Sequence, residues 1–296
     1  MLPAARGLAA IILAYAIWGL IPVYWKLLTS IGADELLYCR LILTAASCLL
    51  ILRVRRDWAD FPRVWRNNRT LRHSLLAAAL LSVNWFSFMW AVNNNRVLES
   101  SLGYFLCPLV SVLLGRFVEK EHLGTRRWIA VGLAAAGVGI IISQAAAIPF
   151  AAVSIALTWG GYGLMKKRSQ LGPLTGLGME TLLLSPLAAV MLIILAGQQP
   201  LTALAATPTT QFFLAIVGFV TLVPLLLFAY AARRIQLSTM GMGQYIVPSC
   251  HFGLALLYGE TVNKGVLAGF ALIWGALAVY SVEGRRTKDE GRKTKD

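Results

Sequence analysis

The stretch WGLIPVYWK at residues 18–26 returns in altered form as WGGYGLMKK at residues 159–167. In each copy a Trp-Gly pair is followed by a lysine eight residues after the tryptophan. A second stretch, residues 91–108, aligns without a gap on residues 231–248, so that a glycine and a proline recur at matched places. Two similar halves made of apolar segments are the sequence signature of a transporter built from a repeat.

The composition indicates a membrane protein. Hydrophobic residues make up 58% of the 296-residue chain and charged residues 14%, whereas a globular domain averages about 25% charged residues. Apolar runs of about 18–22 residues, each long enough to cross a hydrocarbon core of ~30 Å, recur along the chain. We therefore predict an all-α integral membrane protein. Its ten predicted spans are 8–28, 35–52, 74–93, 99–117, 126–143, 148–165, 175–196, 210–232, 238–258 and 265–282.

The basic residues predict the orientation of these spans. If the N-terminus is cytoplasmic, 23 of the 27 lysines and arginines lie on the cytoplasmic side or in the tail, which is the positive-inside pattern. Five spans per half place the second half upside down relative to the first. We predict two inverted five-helix repeats, residues 1–145 and 146–284, a basic cytoplasmic tail at 285–296, and both termini in the cytoplasm.

A net charge of +14 alone would also suit a nucleic-acid-binding protein. Its concentration in the loops of one side argues for topology instead, and we predict no nucleic-acid partner. Seven arginines lie between Arg53 and Arg72. They act either as a topology determinant on the cytoplasmic surface or as a site for anionic lipid headgroups.

Helix breakers occur at matched places in the two halves. Pro22 corresponds to Gly163, and Pro108 corresponds to Pro248. Backbone groups freed by such breakers are tolerated in a membrane only beside protein or a cavity. They therefore point towards a binding site between the repeats, the alternative being kinks that serve packing alone.

Aromatic and polar residues at helical spacing predict the lining of this cavity. The predicted lining residues are Tyr15, Trp18, Pro22, Asn84, Tyr104, Pro108, Trp159, Tyr162, Gln244, Tyr245 and Pro248. Such a lining suits small amphipathic or aromatic molecules, through offset stacking and through cation–π contact with a cationic ligand. The alternatives are an aromatic belt at the membrane interface for the rings and interhelical hydrogen bonding for Asn84.

Charged residues near span ends predict two gates. The predicted outer gate consists of Lys26, Glu35, Arg40 and Glu99. An ion within hydrocarbon needs a partner or water, so we expect these four to form a salt-bridge cluster. Lys167 and Glu180 form the predicted inner gate, and exchanging the closed gate would produce alternating access. For Lys26 and Glu99 the alternative is that the side chains extend to the interface.

Other chemistry is poorly supported. The chain has no nucleophile elbow, no zinc-protease motif and no Walker loop, and we predict no enzyme, no catalytic residue, no metal and no cofactor. The four cysteines fall within predicted spans without metal-like spacing.

The coupling ion, if any, is a proton exchanged at Glu35 or Glu180. Gly265 and Gly269 favour close packing of the last span, either internally or between protomers, and the oligomeric state stays open.

Several stretches resemble a known family over almost the whole chain. They are residues 18–26 (WGLIPVYWK), 35–40 (ELLYCR), 84–85 (NW), 90–93 (WAVN), 99–105 (ESSLGYF), 162–163 (YG), 244–248 (QYIVP) and 258–260 (YGE). The chain is similar to the EamA group of the drug/metabolite transporter superfamily, in its RarD (chloramphenicol-sensitivity) branch. The branch pattern usually has Ile-Asn where this chain has Leu106-Cys107, and Thr where it has Ser249.

The resemblance implies a multi-pass protein of the bacterial inner membrane with ten helices and a central cavity. It also implies secondary transport, and we expect export of a small amphipathic or aromatic metabolite or drug, with the lipid bilayer and the substrate as partners. The alternative is a membrane regulator or receptor that keeps the fold without transporting.

Overall fold

The computed structural model describes residues 3–56, 60–94, 96–143, 150–259 and 263–293, which form helices joined by short connections and no strand. The all-α prediction is confirmed. The helices are α1 (Pro3–Trp25), α2 (Ala33–Arg55), α3 (Asp60–Arg66), α4 (Asn68–Asn93), α5 (Val97–Phe117), α6 (Thr125–Ile142), α7 (Phe150–Arg168), α8 (Pro173–Gln198), α9 (Thr202–Ala205), α10 (Pro208–Ala232), α11 (Leu237–Gly243), α12 (Ile246–Leu257) and α13 (Lys264–Lys293). A 3₁₀ turn, Lys26–Leu28, extends α1.

Within the described residues, eight helices are long and apolar enough to cross a membrane: α1, α2, α4, α5, α6, α8, α10 and α13. The other two predicted spans, 148–165 and 238–258, fall on α7 and on the α11–α12 pair. Helix α7 has 19 residues but ends in three consecutive basic residues, Lys166 to Arg168. The ninth predicted span is broken at Gln244 and Tyr245, between α11 and α12.

Small residues let α1 approach its neighbours closely. Its buried face carries Gly7, Ala10, Ile11, Ala14, Tyr15 and Gly19. A Cβ atom added at Gly19 would lie 2.5 Å from the Cβ of Cys250 on α12. The opposite face exposes large apolar side chains such as Leu13, which is 52% exposed. That distribution suits a helix with one face against protein and the other against lipid, because lipid does not penalise exposed leucine.

The small-residue pair in the last span serves internal packing at Gly269. A Cβ atom at Gly269 would lie 2.8 Å from the carbonyl oxygen of Gly137 on α6, and one at Gly137 would lie 2.6 Å from that of Gly269. The backbones of α6 and α13 therefore touch at these two glycines.

The helix contacts between the two halves of the chain occur in matching pairs. Helix α1 packs on α10 and α12, and α7 packs on α4 and α5. Helix α2 packs on α10 and α4 packs on α8, while α2 also contacts α8 and α6 contacts α13.

The structure bears differently on the two predicted domain boundaries, the junction of the repeats and the start of the tail. The junction predicted between residues 145 and 146 lies outside the described residues. The tail predicted to begin at residue 285 starts within a helix, because α13 continues to Lys293.

Candidate functional site

A cavity of about 230 Å³ lies between α1, α2, α4, α5, α7, α10 and the α11–α12 pair. Seven of the eleven predicted lining residues form part of its wall: Tyr15, Trp18, Pro22, Asn84, Tyr104, Trp159 and Gln244. The wall also contains residues that were not predicted to line it: Ile21, Trp25, Arg40, Trp85, Phe88, Thr221, Leu225, Val247 and His251.

The other four predicted lining residues lie outside this wall: Pro108, Tyr162, Tyr245 and Pro248. The Tyr162 hydroxyl donates to Glu180 at 3.0 Å, so this ring belongs to the α7–α8 contact. The carbonyl of Pro108 lies 2.7 Å from the Cβ position of Gly241, where α5 and α11 meet. Pro108 therefore lies where α5 packs against α11.

Aromatic rings dominate the cavity wall. The rings of Trp18 and Trp159 meet edge to face with centroids 5.4 Å apart. Phe228 lies behind both, at 5.8 Å from Trp18 and 5.1 Å from Trp159. Such edge-to-face pairs are favourable because the positive ring edge meets the negative ring face. Sequence reasoning missed Phe228, since it stands in an apolar run of α10 that nothing distinguishes from lipid-facing residues.

Asn84 joins α4 to α7. Its side-chain amide donates to the carbonyl of Ile155 at 2.9 Å and to the Thr158 hydroxyl at 3.1 Å. The side chain also borders the cavity and is 3% exposed. The interhelical role considered from the sequence is therefore present in the structure, beside the predicted position on the wall.

Arg40 lies on the cavity wall. Its guanidinium carbon lies 4.4 Å from the ring centroid of Trp85 and 5.7 Å from that of Trp25. Its Nε is fully buried without a hydrogen-bond partner in the described part of the chain. Sequence reasoning placed Arg40 in a gate because the helical period alone does not show which neighbouring helix a side chain meets.

The other outer-gate residues have separate partners. Both carboxylate oxygens of Glu35 accept hydrogen bonds from the start of α9, at 2.6–2.9 Å from Thr202 and Ala203. The Lys26 ammonium lies 3.1 Å from the ring centroid of Tyr258. No ion pair joins Lys26, Glu35 and Arg40 to one another among the described residues, in place of the expected cluster. The side chain of Glu99 lies outside the described part.

The ion pair predicted between Lys167 and Glu180 forms with a different lysine. Lys166, not Lys167, forms the salt bridge to Glu180, with Nζ and Oε1 2.6 Å apart. Lys167 instead donates to the carbonyl of Ile235 at 2.7 Å and lies 3.8 Å from Glu121. Neighbouring residues on a helix differ by 100° in direction, so the rotation of α7 about its own axis decides which lysine meets α8.

Glu121 is a functional candidate that sequence reasoning missed. Its carboxylate accepts from the backbone N–H groups of Leu237 and Ser238, at 2.6 and 3.0 Å, and from the Ser238 hydroxyl at 2.7 Å. A carboxylate at a helix N-terminus satisfies N–H groups that lack helical partners. Glu121 therefore holds the beginning of α11 and contacts Lys167 on α7.

The cysteine at the branch-specific position and the possible metal ligands contribute no site in the described part of the chain. Cys107, at the position where the branch pattern has Asn, is fully buried among the helices and is not a lining residue. Among the described residues, no group of three His, Cys, Asp or Glu side chains could hold a metal ion.

A model described as the EamA-like transporter family matches residues 5–143. The protein RarD of Escherichia coli K12 is 35% identical over 94% of this chain and 94% of its own length. The chain belongs to the EamA transporter family.

Within the EamA family, the chain belongs to the RarD branch, as its motifs indicated. The protein RarD of Streptomyces exfoliatus is 38% identical over 94% of this chain and 89% of its own length. An uncharacterized transporter of Vibrio cholerae is 38% identical over 99% of this chain and 97% of its own length. This EamA protein is accordingly a multi-pass inner-membrane transporter, with the lipid bilayer and a small-molecule substrate as its partners.

A solved structure supports the fold of this EamA protein. One crystal structure aligns with a TM-score of 0.71, covering 96% of this chain and 98% of that chain, at 18% identity. Likeness at that identity concerns the fold alone.

Proposed function

We propose that this transporter is a secondary exporter that moves small amphipathic or aromatic molecules through the central cavity by alternating access. The cavity wall carries the proposal: Trp18 and Trp159 meet there at 5.4 Å, with Tyr104 and Gln244 on the same wall. A volume of about 230 Å³ is below the ~300–1,000 Å³ of pockets that bury drug-sized ligands. It therefore favours a compact molecule with one ring system. The proposed transport involves no catalysis and no cofactor.

We further infer ten membrane helices in two inverted repeats, residues 1–145 and 146–284, followed by the basic tail at 285–296 and with both termini in the cytoplasm. The packing supports this, because the main contacts of α1 and α2 with the second half have counterparts. Contacts of α1 with α12 and α10 match contacts of α7 with α5 and α4, and the α2–α10 contact matches α8–α4. The concentration of arginine and lysine on one side supports the orientation.

The ion pairs support alternating access. Lys166–Glu180 and Lys167–Glu121 hold the end of α7 against α8 and against the segment that precedes α6. In the proposed orientation this end is cytoplasmic, so the pairs would separate when the cavity opens inward. Proton coupling would act at Glu180, which pairs with Lys166, or at Glu35, which accepts from Thr202 and Ala203.

Flux through the purified protein tests the proposal. Proteoliposomes are loaded with a panel of single-ring aromatic metabolites, and their release is compared with that from empty liposomes. We expect release of at least one compound, a large reduction in Trp18→Leu, and wild-type release in Trp65→Leu. Trp65 lies on α3, is 52% exposed and is away from the cavity. No flux for any compound would favour the non-transporting regulator or receptor.

A further inference from the structure

Arg40 is a cation in the cavity wall without a counter-charge in the described part of the chain. Its guanidinium lies over the ring of Trp85, and its Nε is buried without a hydrogen-bond partner. An unpaired charge within a membrane protein is costly, so it marks a place where a partner or water must enter. Stacking on tryptophan offsets part of this cost but does not use the Nε–H, which lies in the guanidinium plane.

The acids at the same end of α2 have other partners. Glu35 accepts from Thr202 and Ala203 through both oxygens. One oxygen of Asp34 accepts from the Asn93 side chain at 2.7 Å. Among the described residues that line the cavity, none is an aspartate or a glutamate. The charge of the wall is therefore positive.

The corresponding position in the second half has the opposite character. Helices α2 and α8 begin 140 residues apart, at Ala33 and Pro173, and the same offset relates Arg40 to Glu180. Glu180 is neutralised by Lys166 at 2.6 Å and accepts from Tyr162 at 3.0 Å. The protein thus satisfies the charge in α8 internally and leaves the one in α2 facing the cavity.

Two more donors on the wall lack partners among the described residues. They are the indole Nε1 of Trp159 and the hydroxyl of Thr221. Their residues are only 8% and 5% exposed, and both line the cavity. An indole N–H can only donate. Buried donors without partners are uncommon, and a ligand that brings acceptor oxygens would satisfy them.

We propose that the transported molecule is an organic anion with an aromatic or apolar body. Its carboxylate or other oxyanion pairs with Arg40, and its ring lies beside Trp18 and Trp159. This inference rests on the proposed function and narrows it, because Arg40 repels a cationic ligand that would otherwise bind the aromatic wall. The charge preference would thus come from one side chain and the shape preference from the rings.

Three probes that share an indole ring separate charge from shape. Indole-3-acetate is an anion at neutral pH, indole-3-acetamide is neutral and tryptamine is a cation. Their binding to the purified full chain in lipid nanodiscs is measured by isothermal titration calorimetry. We expect the anion to bind about tenfold or more tighter than the amide, as a charged hydrogen-bonded contact implies, and tryptamine to bind most weakly.

Variants assign the preference to Arg40. Arg40→Gln removes an unpaired charge without leaving a buried acid behind, and we expect it to bind the anion and the amide equally. Arg40→Lys should keep part of the preference. Arg233→Gln, which removes an exposed arginine bonded to the carbonyl of Leu171 at 3.0 Å, should keep all of it.

The outcomes separate this inference from the proposed function. Equal binding of the three probes by the wild-type protein, or tighter binding of tryptamine, would overturn the anion assignment while leaving an aromatic-binding cavity in place. An anion preference that persists in Arg40→Gln would also overturn it. If none of the probes binds the wild-type protein, the anion assignment and the aromatic site of the proposed function both fail.

Discussion

Lys166 of α7 and Glu180 of α8 form a salt bridge of 2.6 Å in which both side chains are almost completely buried, at 3% and 4% exposure. The second oxygen of Glu180 accepts from the Tyr162 hydroxyl at 3.0 Å. Removing one partner from such a pair leaves an uncompensated charge, whereas replacing both can be neutral. The stability of the protein should therefore depend on keeping both partners or replacing both together.

Glu180→Gln should lower the free energy of unfolding of the detergent-solubilised protein by about 3–5 kcal/mol, because Lys166 is left buried without a counter-charge. The double variant Lys166→Met/Glu180→Leu should recover most of the loss. Arg168→Gln is the control, since its partner Glu119 is reached at 2.7 Å by a side chain that is 47% exposed. Exposed pairs contribute about 0–1 kcal/mol. A Glu180→Gln variant as stable as Arg168→Gln would contradict the assignment.

Gly19→Ala should destabilise the contact between α1 and α12 by about 1–3 kcal/mol. The added Cβ would lie 2.5 Å from the Cβ and 2.8 Å from the Sγ of Cys250. Adding Cys250→Gly should restore part of the loss by removing the obstructing atoms. Gly132→Ala on α6 is the matched control, because nothing lies within 4 Å of its Cβ position. Unfolding measurements that rank the two alanine variants equally would refute this packing.

Asn84→Leu should weaken the contact of α4 with α7 by about 0.6–1.7 kcal/mol, the range measured for interhelical hydrogen bonds in membranes. The change removes the bonds to Ile155 and Thr158 at nearly constant volume. Asn94→Leu serves for comparison, since Asn94 is exposed and its side chain donates to the carbonyl of Trp90, four residues earlier. Equal unfolding free energies for the two variants would show that the interhelical bonds contribute nothing.

Single cysteines test the proposed orientation in a background in which the four native cysteines are replaced. A membrane-impermeant maleimide should label Arg96→Cys and Lys264→Cys in intact cells. Arg126→Cys and Arg233→Cys should react only after permeabilisation, because the positive-inside rule places them in the cytoplasm. Labelling of position 233 in intact cells would exclude the proposed topology.

The sequence was sufficient to predict much of the cavity wall. Trp18, Tyr104 and Trp159 were identified because the helical period and the repeat both mark them, and all three line the cavity. The partners of the charged residues were harder to predict. Lys166 and Lys167 differ by 100° around α7, and only the rotation of the helix against α8 determines which of them meets Glu180.

What the sequence by itself determined is the class of protein: apolar segments of bilayer length imply membrane helices, and the repeated Trp-Gly and proline stretches mark two related halves. These features depend on composition and on order along the chain. Only the tertiary structure decided the partners of the charges. Glu35 binds the start of α9, Glu121 binds the start of α11, and Arg40 faces the cavity. The reason is that a side chain's partner depends on helix rotation and on contacts between residues distant in sequence, which local periodicity does not encode.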